Sequence, residues 1–135
     1  MAKIVITNPS ITINSVDLKD HIAQVTINTS VNEIQTTAFG STAVTRAAGL
    51  LDSSIQLSFM QDYAASNVEQ TIYPLIGQTT TIVVKPVTGT TTSTNPAYSM
   101  SVLVTEWSPI NGAVGELVTA DVTWPVDGLI TKSTA

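Results

Sequence analysis

The residues from Ser53 to Pro86 constrain the fold most, because the spacing of their apolar side chains changes twice. Apolar and polar residues alternate from Ile55 to Phe59, which is typical of a strand with one buried face. From Val68 to Ile76 the apolar residues repeat at helical spacing, which predicts a short amphipathic helix. Thr79 to Lys85 has β-branched residues at its centre and again favours a strand. We therefore predict that one helix covers an otherwise β protein.

Residues at both ends of this helix indicate where it begins and ends. Ser66 and Glu69 have the spacing of a capping box, in which each side chain accepts a hydrogen bond from the other residue's backbone N–H. Gly77 stands where a left-handed residue ends many helices. Pro74 lacks an N–H, so we expect the helix to bend or to end early. The predicted apolar stripe consists of Val68, Ile72, Leu75 and Ile76.

The rest of the chain has the composition of an all-β protein. Threonine is about one residue in six and charged residues are 11%, so the surface must be covered mainly by neutral polar side chains, which suit pleated strands. Further strands are predicted at Lys3–Thr7, Ser10–Asn14, Ile22–Thr29, Val31–Thr37, Tyr98–Ser108 and Glu116–Val126. The third and fourth of these either form a hairpin across Ser30 or continue past a bulge.

The length of 135 residues fits one domain, residues 1–135, with a hydrophobic core. Asn8-Pro9 separates an N-terminal arm from the rest. A long loop is predicted over residues 36–52, since its small and scattered apolar residues have no period. We expect this loop to become ordered against a neighbouring subunit. Residues 128–135 are predicted to form a flexible C-terminal tail.

The charge distribution argues against binding to polyanions. The formal net charge is -5 and the five basic residues form no run, whereas a protein that grips DNA or an anionic membrane needs clustered bases. There is no cysteine, so neither a disulfide nor a thiolate metal site is expected. The apolar runs are too short for a signal peptide or a membrane span, and we expect a soluble protein that is not exported.

No set of residues has the spacing of an active site. Asp17, Asp20 and His21 lie within five positions, but a zinc site needs more histidine or cysteine, and we interpret them as a solvated turn. His21 is the only imidazole. Glu106 and Glu116 would form a carboxylate pair only in one strand register. The sequence therefore predicts no enzymatic activity, no metal and no cofactor.

What remains is a domain whose arm, loop and tail cannot satisfy their exposed groups alone. Strand edges with few charged residues favour pairing between subunits. We therefore predict that the chain assembles with copies of itself into a homo-oligomer.

Four segments, taken in order, carry a resemblance to a known family. They are the acidic turn N-S-V-D-L-K-D-H-I at Asn14–Ile22, the loop Thr36–Leu50, the run S-I-Q-L-S-F-M-Q-D-Y before the helix, and G-E-L-V-T-A-D-V-T-W-P-V-D-G at Gly115–Gly128. Together they resemble the major tail protein, or tail tube protein, of long-tailed bacteriophages.

The resemblance implies a fold, an assembly and a place in the virion. Members of the family fold as a mainly β sandwich or barrel of antiparallel strands with one short flanking α-helix. They form hexameric rings that stack into a tube in the virion tail. The long loop and the termini bridge between rings, and other tail proteins lie at the tube ends. The chain would be made in the host cytoplasm. DNA would pass through the lumen during ejection without specific binding, because a polar and acidic wall offers it no fixed cation.

The resemblance also assigns residues of this chain to two surfaces of such a tube. The candidates for the inter-ring or subunit interface are Phe39, Val44, Arg46 and Leu50. The lumen-facing candidates are Glu33, Gln35, Gln56 and Ser58. A register error of one residue would turn a lumen candidate to the other face of its strand.

Two other functions agree with the same composition. A capsid decoration or cement protein is also small, β-rich and bound to a lattice. A carbohydrate-binding β-sandwich would stack a sugar on Trp107 or Trp124, although packing in the core is the commoner fate of such residues.

Overall fold

The computed structural model describes residues 5–65 and 67–134, which form a sandwich of two antiparallel sheets. The strands are β1 (Ser10–Ile13), β2 (Val16–Asp17), β3 (Ile22–Gln35), β4 (Arg46–Met60), β5 (Thr79–Lys85), β6 (Ala97–Leu103), β7 (Thr119–Pro125) and β8 (Thr131–Ser133), and the helix is α1 (Val68–Ile72). Sheet A has the order β2-β1-β5-β6-β8 and sheet B the order β3-β4-β7. The predicted fold class, mainly β with one short flanking helix, is confirmed.

The core lies between the sheets and is built from alternate residues of their strands. Ile55, Leu57 and Phe59 of β4 are at most 1% exposed, as their alternation predicts. Trp124 of β7 is fully buried beside Phe59, with ring centroids 6.1 Å apart. Sheet A contributes Ile11, Ile13, Ile82, Val84, Met100 and Val102.

The strands of sheet A run across those of sheet B. Tyr98, near the start of β6, borders a cleft with Ile27 of β3. Val102, near the end of β6, bridges to Val126 just after β7. Strand β6 therefore spans sheet B from one edge to the other, as in orthogonally packed sheets.

Because of this crossing, the successive strands of sheet A lie over successive residues of β3. Ile11 of β1 and Ile22 at the start of β3 border one cleft, whereas Lys132 of β8 and Thr29 in the middle of β3 border another. The β8 edge of sheet A therefore lies near the middle of β3. None of the described strands packs on either face of the hairpin beyond this point, residues 30–52.

The helix lies where the sequence predicts it and ends as expected. Val68 and Ile72 are fully buried, α1 stops at Ile72, and a 3₁₀ turn that contains Pro74 follows. Gly77 has a φ of +80°, which is the left-handed conformation predicted there. Ile76 is 43% exposed, so the buried stripe is narrower than the prediction.

Ser66, one of the two residues of the predicted capping box, lies outside the described residues. The other residue, Glu69, makes contacts different from those of a capping box. The N–H of Glu69 donates to the carbonyl of Asp62 at 3.1 Å, and the Glu69 carboxylate accepts from the indole N–H of Trp107 at 3.1 and 3.2 Å. The glutamate therefore ties the helix to the segment after β6.

Two segments predicted to be irregular are partly strands. The loop predicted over residues 36–52 is shorter, because β4 begins at Arg46 and pairs with β3 from Gln35. Its residues show no alternation since neither face of this ribbon is buried. The tail predicted over residues 128–135 contains β8, which pairs with β6.

The remaining strand predictions are corrected in detail. Strand β3 continues across Ser30, and its register with β4 shifts between Val31 and Glu33, so the bulge was the correct alternative. The strand predicted at residues 3–7 lies partly outside the described residues, and residues 5–7 form none. The arm is attached at Asn8, whose carbonyl accepts from the N–H of Thr88 at 2.9 Å.

The two phenylalanines of the chain give a matched test of the core. Phe59 is 1% exposed and Phe39 is fully exposed. We expect Phe59→Ala to lower the free energy of unfolding by about 3–5 kcal/mol, because it deletes a buried ring and leaves a cavity. Phe39→Ala is expected to change it by less than about 0.5 kcal/mol. Urea unfolding of dilute protein, followed by tryptophan fluorescence, measures both, and equal losses would contradict this description of the core.

Candidate assembly surfaces

The hairpin of β3 and β4 projects beyond the core. Residues 28–35 of β3 are all exposed, and residues 46–52 of β4 are exposed apart from a half-buried Gly49. Its exposed large apolar residues are Val31, Ile34, Phe39, Val44, Leu50 and Leu51. A set of exposed apolar groups on one projecting element is typical of a surface that contacts another molecule.

A bulge gives the hairpin its shape. Between Val31 and Glu33 the pairing shifts by one residue, which leaves an extra residue in β4 opposite Asn32. Gly49 stands at this point, and a Cβ atom there would lie 2.8 Å from the backbone oxygen of Asn32. The close approach of the two strands therefore requires glycine.

The four interface candidates all lie on this hairpin. Phe39 is fully exposed in the loop between the strands, Leu50 is 85% exposed and Val44 is 49% exposed. Arg46 forms an ion pair with Glu33 on the facing strand. An ion pair this exposed contributes at most about 1 kcal/mol.

Two of the four lumen candidates lie on the polar face of sheet B. Gln56 and Ser58 point away from the core, because Ile55, Leu57 and Phe59 between and beside them are buried. Gln56 pairs with Thr26 of β3 and with Thr123 of β7, so the polar face is continuous across the sheet. The central residues of this face are Gln24, Thr26, Asn28, Ser54, Gln56, Ser58, Asp121 and Thr123, none of which is basic.

The other two lumen candidates lie on the opposite face of the ribbon. Alternation in β3 puts Glu33 and Gln35 with Val25 and Val31, whereas the polar face continues through the even-numbered residues. The resemblance assigned all four residues to one surface. Ile34, which lies between Glu33 and Gln35, is 48% exposed, so burial does not distinguish the two faces of the ribbon here.

The two edges of sheet B differ in accessibility. Strand β3 has no partner along its outer edge among the described residues. The outer edge of β7 is covered by the segment between β6 and β7. There the N–H of Thr119 donates to the carbonyl of Asn111 at 3.1 Å, and the N–H of Thr123 donates to the Glu106 carboxylate at 2.7 Å. Sequence reasoning missed Glu106 in this role, because the contact depends on the path of a long irregular connection.

The acidic turn and the helix meet in a cluster around Asp62. The Asp62 carboxylate accepts from the N–H of Ala64 at 2.9 Å and from the amide of Asn67 at 2.9 Å, and it lies 2.8 Å from Nε2 of His21. The hydrogen bond from Ala64, and next that from His21, lowers the pKa of Asp62, because both favour the charged carboxylate. This cluster fastens the start of β3 to the start of α1.

The residues of the acidic turn do not converge on a ligand. Asp17 accepts from the N–H of Lys19 at 3.0 Å, which is the local hydrogen bond expected of a solvated turn, while His21 turns to Asp62. Within the part of the chain that the structure describes, no group of three potential metal ligands occurs.

Both tryptophans are used within the fold. Trp124 is fully buried, and its indole N–H donates to the carbonyl of Glu106 at 2.9 Å. Trp107 packs edge to face on Phe59, with ring centroids 5.3 Å apart, and donates to Glu69. The stacking surface required by the carbohydrate-binding alternative is therefore not formed by Trp124, and Trp107 already packs on a ring of the core.

Comparison with solved structures identifies the fold. A chain in the virion of a native gene transfer agent particle superposes with a TM-score of 0.69 at 12% identity, over 94% of this chain and 96% of that one. A chain in the tail of an empty gene transfer agent particle, refined helically with C6 symmetry, superposes with a TM-score of 0.64 at 15% identity, over 85% and 83%. A chain in the six-fold symmetrised baseplate of the anti-feeding prophage gives 0.50 at 8% identity, over 99% and 98%.

These likenesses concern the fold. The sequence itself matches no family model and no curated protein. The chain nevertheless has the fold of chains found in phage-like virions and tails, so the fold that the resemblance to tail tube proteins implies is confirmed. No helix among the described residues is long and apolar enough to cross a membrane.

The lowered pKa of Asp62 predicts a pH dependence of stability. The carboxylate of the folded protein titrates below its ordinary value of 3.8, so its contribution is complete above the pKa of the unfolded chain and is lost as the pH falls through the folded pKa. We expect Asp62→Asn to be less stable than wild type at pH 7 and to lose less stability between about pH 5 and pH 2. Urea unfolding across this range measures both curves, and parallel curves would contradict the assigned hydrogen bonds.

Proposed function

We propose that the chain is a structural tail protein that forms hexameric rings, and that these rings stack into a tail tube through which DNA is ejected. The observation that carries this proposal is the likeness of fold to a chain in a six-fold symmetric tail. A tube of this kind needs a contact within the ring, a contact between rings and a wall that does not retain DNA. The surfaces described above supply one candidate for each.

Within the ring, the two edges of sheet B are the candidates for contact. Strands β3 and β7 both pair antiparallel with β4, so they run in the same direction. Cyclic symmetry keeps the direction of each strand relative to the ring axis. A joint between β7 of one subunit and β3 of the next is therefore a parallel pair. A closed ring of such joints leaves no free edge in sheet B.

Between rings, the projecting hairpin is the candidate for contact. The part of β3 from Ser30 to Gln35 extends about 20 Å past the core at the rise of a strand, and Phe39, Val44 and Leu50 lie on this projection. Apolar groups that have no partner in their own subunit are buried when the hairpin reaches the next ring. We assign Glu33 and Gln35 to this contact as well, together with Arg46, which pairs with Glu33.

The polar face of sheet B is the candidate for the lumen wall. Gln56 and Ser58 lie at its centre, with Asp121 as the charged residue beside them. A wall without lysine or arginine releases no counterions from DNA and so does not bind it.

The inter-ring contact can be tested with Phe39→Ser combined with Leu50→Ser. Both side chains are exposed, so we expect the subunit to remain folded and to lose the ability to form tubes. Circular dichroism checks the fold, and negative-stain electron microscopy with size-exclusion chromatography checks the assembly. Leu129→Ser, at a 69% exposed site outside the hairpin, is the matched control and should assemble normally. Normal tubes from the double variant would contradict the assignment of Phe39 and Leu50 to the inter-ring contact. Stable trimers of the wild-type protein would instead favour a capsid decoration protein.

The lumen wall can be tested with Gln56→Lys. A ring of added cations should bind the phosphate backbone and slow DNA ejection, and the delay should shrink as salt is raised. Thr81→Lys adds the same charge on the exposed face of sheet A and should leave ejection unchanged. Particles that carry each variant are compared by the rate of DNA release, and equal rates for wild type and Gln56→Lys would rule out this position for the wall.

A further inference from the structure

The outer edge of β7 is already occupied within the free subunit. In an antiparallel pair, alternate N–H groups of the edge strand point away from its neighbour. In β7 these belong to Thr119, Asp121 and Thr123, and the next position is Pro125, which has no N–H. The N–H groups of Thr119 and Thr123 both have acceptors in the segment that joins β6 to β7. A second chain could not pair with this edge at Thr123 without displacing the Glu106 carboxylate.

Glu106 attaches this segment to β7 through both its side chain and its backbone. Its carboxylate accepts from the N–H of Thr123 at 2.7 Å, and its carbonyl accepts from the indole of the buried Trp124 at 2.9 Å. Further along, the carbonyl of Pro109 accepts from the amide of Gln61 at 2.9 Å and from the hydroxyl of Tyr63 at 2.6 Å. The side chain of Glu106 is thus the part of the cover that can leave the edge while the backbone attachment to Trp124 stays in place.

The outer edge of β3 is different. Its 14 residues include no lysine and no proline, the residues with which edge strands commonly prevent pairing. None of the described strands pairs with it on that side. The subunit therefore carries one open edge and one covered edge, and a head-to-tail contact between copies needs both.

We propose that Glu106 is an assembly latch. In the free subunit its carboxylate covers the β7 edge, and it must be displaced before the β3 edge of a second copy pairs with β7. A backbone carbonyl of that β3 then replaces the carboxylate as the acceptor for the N–H of Thr123. The latch rests on the proposed ring and adds to it the control of when the ring forms.

The latch predicts the effect of substituting Glu106 on the concentration at which subunits assemble. Glu106→Ala leaves the N–H of Thr123 open, and we expect assembly at about a tenfold lower concentration, the effect of losing one charge-assisted hydrogen bond. Glu106→Gln keeps an oxygen acceptor and should assemble closer to wild type. Glu116→Ala removes an exposed carboxylate from the same segment and is the matched control. Light scattering after size-exclusion chromatography over a dilution series gives the threshold, and electron microscopy identifies the product.

A second measurement does not depend on any variant. In free wild-type subunits the amide of Thr123 should exchange with deuterium more slowly than that of Asp121, its neighbour on the same edge. Equal rapid exchange of the two amides would overturn the latch.

The outcomes separate the latch from the ring. A lower threshold for Glu106→Ala but not for Glu116→Ala supports the latch. One common threshold, at which wild type and both Glu106 variants all form six-fold rings, overturns the latch and leaves the ring in place. Failure of the proposed ring has a different signature, because neither wild type nor Glu106→Ala would then form six-fold rings at any concentration.

Discussion

The burial of one face of β4 is the interaction on which the rest of the structure depends. Phe59, near the end of β4, packs against both Trp124 and Trp107. Trp107 in turn holds Glu69 of α1, and Trp124 holds the backbone of Glu106. One aromatic cluster therefore fixes the helix and the connection before β7 to sheet B. Aromatic pairs add contact energy to their buried area, so these irregular segments are held both by ring packing and by the hydrogen bonds of the two indoles.

The same strand also explains why the outer surface of sheet B is polar and unbroken. Alternation sends every residue between the buried ones to the other face, and pairing aligns those residues with polar ones in β3 and β7. Sheet A ends halfway along β3, so the remainder of the hairpin has no core to cover. Its apolar residues are therefore exposed because of the architecture of the two sheets.

The sequence predicted the elements whose pattern is imposed by burial. Burial imposes the alternation around Leu57 and the helical spacing around Ile72. Pro74 and Gly77 mark the end of the helix through their own backbone geometry. The strand at residues 46–52 was not predicted, because a ribbon that is exposed on both faces does not require apolar and polar residues to alternate. Strand β8 was not predicted because three residues are too few to show an alternation. The face of Glu33 depends on the whole register of the ribbon, and the contact between Glu106 and Thr123 joins residues 17 positions apart.

A carboxylate is a suitable cover for an edge that must later open. When a neighbouring strand takes its place, the N–H of Thr123 exchanges one oxygen acceptor for another, and the Glu106 carboxylate returns to water, where it is well solvated. The N–H of Thr123 therefore has one acceptor both before and after the exchange. Displacing the cover therefore costs little once a neighbour is in place, whereas removing it without a neighbour leaves an edge N–H without its acceptor. A cover of this kind stabilises the free subunit relative to the assembly and so raises the concentration at which subunits assemble.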